Sequence, residues 1–460
     1  MEENNTKTNI LGTEKPSALL RKFAVPSIIA MLVSSLYNIA DQIFIGQGVG
    51  YLGNAATNVA FPLTSICIAL SALIGIGSSS YFSLQLGAGN REGAAGSVGN
   101  AVFMMGFFGI LYLILIQLFR KNMLIAFGAT ADILPYADSY TRITAFGMPL
   151  LIMTNGISNL ARADGSPGYS MFCTLVGAII NVILDPIYIF VFDMGVAGAA
   201  YATVIGQVFS FLLALNYLRK FKTVTITKSS FIPKIKKCIT IASLGMSNCL
   251  NHIALTFVQI VLNNSLTYYG LQSVYGQEIP LAGSGIVMKV NSILISVFVG
   301  LSQGSQPIVG YNYGATAYKR VRKTYRLAVT CALAISFVGF IGFQFFPKYI
   351  ISIFGSGDRL YFEFAVKFMR TYLFMIPLTG VQIISSNFFS AIGKPIKGAA
   401  LSLTRQVFFL IPLLLILPTF MGLDGIMTAA PIADFAAFVT SVIFIKYEFG
   451  KMKKLPSIGE

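Results

Sequence analysis

The chain is built of long apolar runs separated by short polar clusters. Between Asp41 and Arg91 there is no Asp, Glu, Lys or Arg, and the same holds from Lys237 to Glu278. Each run is long enough for two helical crossings of a bilayer with a turn between, because one crossing takes about 20 residues. With charges and Gly/Pro clusters as punctuation, the pattern predicts twelve helices. The first six cover residues 17–46, 55–86, 96–119, 140–160, 168–192 and 198–218. The second six cover 240–268, 281–311, 324–346, 364–391, 398–420 and 425–447. The second and eighth exceed the bilayer minimum, which implies tilt or extension beyond it. The expected fold class is an all-α polytopic membrane protein.

Composition sharpens this reading. Of 460 residues, 55% are apolar and 11% charged, with a mean hydropathy of +0.74. A soluble domain is about a quarter charged and needs polar surface that this chain lacks. The net charge of +16 would suit nucleic acid, but its distribution points to membrane topology instead. Arg219, Lys220, Lys222, Lys228, Lys234, Lys236 and Lys237 gather between helices six and seven. Lys319, Arg320, Arg322 and Lys323 lie between helices eight and nine, with Arg326 just inside the next span. Lys446, Lys451, Lys453 and Lys454 are expected to follow the last helix. The opposite loops carry only Arg120, Lys121, Lys348 and Arg359, so both termini are expected in the cytoplasm of a multi-pass inner-membrane protein. The five cysteines are scattered without a CxxC pair and read as small buried hydrophobes.

An internal repeat recurs at a spacing of about 227 residues. Gly77-Ser78 through Gly87-Ala88 aligns with Gly304-Ser305 through Gly314-Ala315. Met148-Pro149-Leu150 matches Met375-Ile376-Pro377-Leu378 with a one-residue shift. Asn159 and Gly165-x-Pro167 match Asn387 and Gly393-x-Pro395, and Met194-Gly195 with Gly198 matches Met421-Gly422 with Gly425. Six helices separate each pair, so both copies insert with one orientation and a substrate site is expected between them. The expected organisation is a cytoplasmic tail (1–16), a first lobe (17–218), a basic cytoplasmic linker (219–239), a second lobe (240–447) and a cytoplasmic tail (448–460).

Three acids fall well inside predicted spans: Asp41, Asp185 and Asp434. A charge at the helix centre costs about 2.5–3.5 kcal/mol on insertion scales, which makes each a candidate for function. Asn181 precedes Asp185 by one turn, and Tyr37, Asn38 and Ser34 lie on the Asp41 side of helix one. Helix four adds Asn155, Ser158 and Asn159, and helix six adds Thr203 and Gln207. If these faces converge, the first lobe holds a polar pocket with two carboxylates. Any one of these Asn, Ser or Thr residues alone is equally served by a role as packing glue between helices. The repeat places Leu413 near the position of Asp185, Tyr268 near that of Asp41 and Ala430 at that of Thr203, so the second lobe lacks the acidic pair. Lys289, His252 and Asp434 are secondary candidates, and Arg162 with Asp164 reads as a structural turn. Pro26 is expected to bend helix one, because proline cannot donate the i−4 hydrogen bond.

These residues resemble the multidrug and toxic compound extrusion (MATE) transporters, in particular the bacterial branch that exports cationic drugs. The resemblance rests on Leu36-Tyr37-x-x-x-Asp41-x-x-x-x-Gly46 and Asn181-x-x-Leu184-Asp185-Pro186. It rests further on Gly195-Val196-x-Gly198-x-Ala200-x-Ala202-Thr203 and on the run from Gly304-Ser305-Gln306-Pro307 to Tyr311-Asn312-Tyr313-Gly314-Ala315. It implies two six-helix bundles around a central cleft and cation-driven antiport of organic cations by a protein that is not an enzyme. It also implies that Asp41, Asn181, Asp185 and Thr203 handle the coupling ion, with Tyr37 and Asn155 around them and Pro26 as the bend. Relatives that place acids on helices seven and ten find no counterpart here, since neither predicted helix contains one.

The expected mechanism has Asp41 and Asp185 alternating between ionised and protonated states, the ionised pocket attracting an organic cation and the protonated one releasing it. The coupling ion is H+ or Na+, and no other cofactor and no metal is expected. The expected partners are organic cation drugs or toxic metabolites and the lipid bilayer, with no nucleic acid, and the protein is expected to be a monomer. The alternative is a lipid-linked oligosaccharide flippase of the same superfamily, which would need several cavity cations. An enzyme is disfavoured because no HExxH or phosphate-loop motif occurs.

Overall fold

A computed structural model describes residues 9–276, 278–354 and 359–456. Among these residues every regular element is helical. A short α1 (Ile10–Thr13) precedes α2 (Pro16–Gly48), α3 (Tyr51–Gly87), α4 (Arg91–Ala126), α5 (Leu134–Ala163), α6 (Pro167–Pro186) and α7 (Gly195–Tyr217). After the linker come α8 (Ile235–Leu271), α9 (Glu278–Gly314), α10 (Tyr318–Phe345), α11 (Pro347–Phe354), α12 (Arg359–Tyr372) and α13 (Ile376–Ala391). The chain ends in α14 (Pro395–Leu403), α15 (Ile411–Met421) and α16 (Leu423–Lys454). Eleven spans are long and apolar enough to cross a membrane, and the bent pair α12–α13 counts as a twelfth.

The observed helices outrun their predicted limits at most ends. α16 continues to Lys454, so the lysines expected after the last helix form its final turns. Lys319, Arg320, Arg322 and Lys323 likewise sit in the first turns of α10 rather than in a loop. Charged residues end the apolar segment, not the helix, because backbone hydrogen bonding continues into water.

Three spans expected to be regular are interrupted, each beside a proline. The tenth breaks by 50° between α12 and α13. There Pro377 has no N–H to offer the Leu373 carbonyl, and the chain turns through i→i+3 bonds from Ile376 to Leu373 and from Leu378 to Met375. π-helical turns occupy Ile187–Val191 after Pro186 and Thr404–Leu410 before Pro412. Pro26 behaves otherwise. The expected bend does not break α2, which runs continuously from Pro16 to Gly48. Ser27 Oγ donates to the Phe23 carbonyl at 2.9 Å, and α9 buttresses this stretch directly.

The repeat has a geometric counterpart in the turns and crossings. Backbone φ is positive at Gly89 and Thr316, at Gly165 and Gly393, and at Gly195 and Gly422, each pair occupying matching positions of the two copies. A Cβ on Gly87 of α3 would strike the Tyr311 carbonyl of α9, and one on Gly314 would strike the Leu84 carbonyl of α3. Each helix presents to the other the same glycine and the same carbonyl. A second pair of crossings follows suit. Gly300 and Gly304 of α9 lie against the backbone of Ile28 and Ala24 in α2, while Leu73 and Gly77 of α3 lie against Gly245 and Ile241 in α8. Carried along α8, this correspondence sets Val258, rather than Tyr268, opposite Asp41. Neither residue is acidic, so the asymmetry between the halves stands.

Three cores organise the bundle. One joins α3, α4 and α5 with Val224 of the linker, and a second joins α8, α9 and α12 with the helices that follow. The third crosses the halves: Leu19, Leu20, Phe23 and Ala24 of α2 pack with Phe298, Leu301 and Ile308 of α9 and with α10 and α13. Farther along α2, Ile45 packs with Ile189, Val196 and Ala199 of the first half.

Candidate functional site

The acids of α2 and α6 meet through a tight α6–α7 contact. A Cβ on Gly206 of α7 would lie 2.6 Å from the Gly177 carbonyl of α6. With the two backbones this close, residues one turn away on each helix come within reach of one another. Asn181 Nδ2 accordingly donates to Thr203 Oγ1 at 3.3 Å and to Asp185 Oδ1, one turn along its own helix, also at 3.3 Å. Asp185 is completely buried. Pro186 and the π turn beyond it end the regular ladder immediately after the acid.

Across from α6, α2 brings Asp41 next to Asp185, within strong electrostatic reach. Asp41 Oδ1, Asp185 Oδ2 and Asn181 Oδ1 are all buried without a donor. Two carboxyl groups this close disfavour each other's ionised form. Ile45, one turn farther along α2, closes the cluster on that side with Ile189, Val196 and Ala199. Tyr37 hydrogen-bonds to the side chains of Asn38 and Ser34 and lies within electrostatic reach of both acids. Tyr140 of α5 also lies within reach of Tyr37, Asp41 and Asp185. Sequence reasoning missed Tyr140, which lies at the predicted start of helix four.

Other candidates lie elsewhere. Asn38 is exposed and its amide donates to the Ser34 carbonyl at 2.7 Å. Asn159 Oδ1 accepts from Arg162 Nη2 at 2.7 Å and its amide donates to the Asn155 carbonyl at 2.8 Å, which ties it to the end of α5. Ser158 is buried with an unpartnered hydroxyl, and Gln207 packs against Gly147 of α5 with an unpartnered Oε1. Asn155 is half-buried. Lys289 is exposed. His252 is half-buried, one turn before Thr256, which hydrogen-bonds Ser65 at 2.7 Å where α8 meets α3.

Asp434 lies in the second half, away from the acids of α2 and α6. It is 3% exposed and forms an ion pair with Arg405, a cation carried by the second π segment. Sequence reasoning overlooked Arg405, although it is an unbroken span's only charge between residues 398 and 420. Asp164 is structural as read: it accepts from Tyr217 Oη at 2.7 Å, from Lys222 N at 2.8 Å and from Thr223 N at 3.0 Å, which fastens the linker to the α5–α6 turn. Among the described residues no group of three or more His, Cys, Asp or Glu is arranged to hold a metal ion.

A helical bundle of this span count, built from two matching halves and carrying a pair of neighbouring acids inside the first, defines a multi-pass membrane transporter. The chain belongs to the MatE family, whose sequence model matches residues 26–187 and again 249–416. Members of this family are transporters, not enzymes. The chain is 25% identical over 425 residues to the multidrug export protein MepA of Staphylococcus aureus (strain NCTC 8325 / PS 47), covering 92% of both chains. Its fold matches an outward-facing conformation of a multidrug resistance MATE family transporter of the MOP superfamily with a TM-score of 0.91 at 23% identity, over 98% of this chain and 100% of the other. A MOP superfamily transporter from Pyrococcus furiosus Vc1 (DSM3638) gives the same score, identity and coverage.

Proposed function

We propose that the protein exports amphipathic organic cations across the cell membrane by antiport, coupled through Asp41 and Asp185. The observation that carries this reading is the placement of the half-buried Asp41 beside the fully buried Asp185, each with one buried carboxylate oxygen that has no donor. Such a pair is completed by one positive charge and loses it readily to a competitor. The multidrug export name of the relatives supports an organic substrate. The excess of Lys and Arg at the ends of α7, α8, α10 and α16 supports cytoplasmic termini.

A proton suits the carboxyl–carboxyl contact best, since it bonds both groups at once. Sodium is the competing ion, with Asn181 Oδ1 and Thr203 Oγ1 as further oxygen ligands. A one-for-one exchange of a proton for a singly charged organic cation moves no net charge and is driven by the pH difference alone; each additional proton moving inward through about 100 mV adds about 2.3 kcal/mol. The flippase reading loses support from the site: its buried charges are acidic, and Arg405 is neutralised by Asp434.

The test is efflux from proteoliposomes under an imposed pH or sodium gradient. Asp41→Asn and Asp185→Asn are each expected to lower gradient-driven efflux at least about tenfold, with the pH gradient driving the wild type. Wild-type efflux in both variants would remove the acids from the mechanism.

A further inference from the structure

The amino-terminal turns of α10 carry Lys319, Arg322, Lys323 and Arg326 at helical spacing, around a cleft of about 430 Å³. Among the described residues no acid lines this cleft, and none occurs in the sequence from 279 to 357. Arg320 is different: it turns inward, donating to Asn312 Oδ1 at 2.8 Å and to the Glu14 carbonyl at 2.6 Å. Arg322 Nη1 is buried yet has no hydrogen-bond partner, a costly state for a guanidinium nitrogen unless an acceptor arrives.

The face below the cations is apolar and open. Leu327 and Thr330 floor the cleft, and the same stripe continues through Leu333, Phe337 and Ile341. Phe337 is 58% and the adjacent Val338 71% exposed. From Thr330 to Val338 the helix descends about 12 Å, close to the depth of one leaflet. A cationic cleft that opens onto an apolar lane of one leaflet's depth matches an anionic phospholipid, with its phosphate among the guanidinium groups and an acyl chain along α10.

The geometry points to a specific binding site for an anionic glycerophospholipid on α10, with Arg322 and Arg326 holding the phosphate and Leu333 and Phe337 lining the acyl chain. The site lies apart from the acids of α2 and α6 and does not depend on the transport reading.

The chain contains no tryptophan, so Leu333→Trp supplies a single fluorescent reporter. In nanodiscs of phosphatidylcholine, quenching by brominated phosphatidylglycerol and by brominated phosphatidylcholine gives the relative affinity of the lane. Phosphatidylglycerol is expected to bind about tenfold more tightly, falling to about twofold or less in Arg322→Gln/Arg326→Gln. Lys323→Gln alone is expected to cost about threefold. Lys451→Gln/Lys453→Gln, which removes the same charge from α16, is expected to leave the preference intact. Unchanged quenching by brominated phosphatidylcholine verifies that each variant keeps its fold. Equal quenching by the two lipids in the parent, or an equal loss in the α16 variant, overturns the proposal. Displacement of the lipid by millimolar inorganic phosphate overturns it in favour of a soluble anion.

Discussion

Two buried charge clusters in this chain differ by one residue type. Asp434 has Arg405 and forms a closed pair. Asp41 and Asp185 have only each other, with Asn181 and Thr203 to arrange them. A closed pair contributes order and resists change, whereas an incomplete one responds to whatever cation is offered. Arg405→Met is therefore expected to cost about 3–5 kcal/mol by stranding Asp434, and Arg405→Met/Asp434→Leu to recover most of it. Thermal unfolding of the purified protein in detergent measures both. A double variant no more stable than the single one would show that the pair is not what the π segment relies on. At this scale the sequence was legible where an acid stood in an apolar run. It was illegible where the partner mattered, because Arg405 lies 29 positions from Asp434 and Tyr140 meets the two acids only across helices.

Helices are positioned by residues that remove something. Glycine at 177 and 206 removes side chains, so that α6 and α7 approach until Asn181 reaches Thr203. Gly206→Ala is expected to destabilise by about 1–3 kcal/mol, because the added methyl meets a backbone carbonyl that cannot move aside. Gly168→Ala, where nothing lies within 4 Å, is expected to be neutral or stabilising by up to about 1 kcal/mol. Melting temperatures of the two variants make the comparison, and equal effects would refute the close-contact account. Proline removes an N–H, and the consequence depends on the neighbours: a 50° break before Pro377, π turns beside Pro186 and Pro412, an unbroken helix at Pro26. The periodic pattern fixed the number and order of spans but not these outcomes, since each is decided by helices far away in sequence.

The molecule as a whole is held together by crossings between its halves, and these are paired. Gly87 and Gly314 exchange equivalent contacts across one α3–α9 crossing. Gly87→Ala and Gly314→Ala are expected to destabilise by similar amounts, about 1–3 kcal/mol each. The double variant is expected to lose less than the sum, because the first methyl already forces the helices apart. A thermal double-mutant cycle reads this, and strict additivity would mean that the two glycines serve separate contacts. The repeat that foretold this pairing was visible as ordered motifs. The offset between α2 and α8 was not, because their polar and apolar residues differ too much to align without the crossings.

The division of α2 between two cores has a mechanical consequence. Its amino-terminal part is embedded with α9 and α10, while Ile45 at the other end belongs to the first half, and Pro26 leaves the Lys22 carbonyl without its usual donor. From Pro26 to Asp41 the helix is a stiff arm about 22 Å long. A rotation of about 10° at the proline swings the tip by about 4 Å, more than the reach of a hydrogen bond. A motion of the halves too small to disturb most of the packing would therefore be enough to part Asp41 from Asp185, so the arm converts a slight change of angle into the making or breaking of a single polar contact.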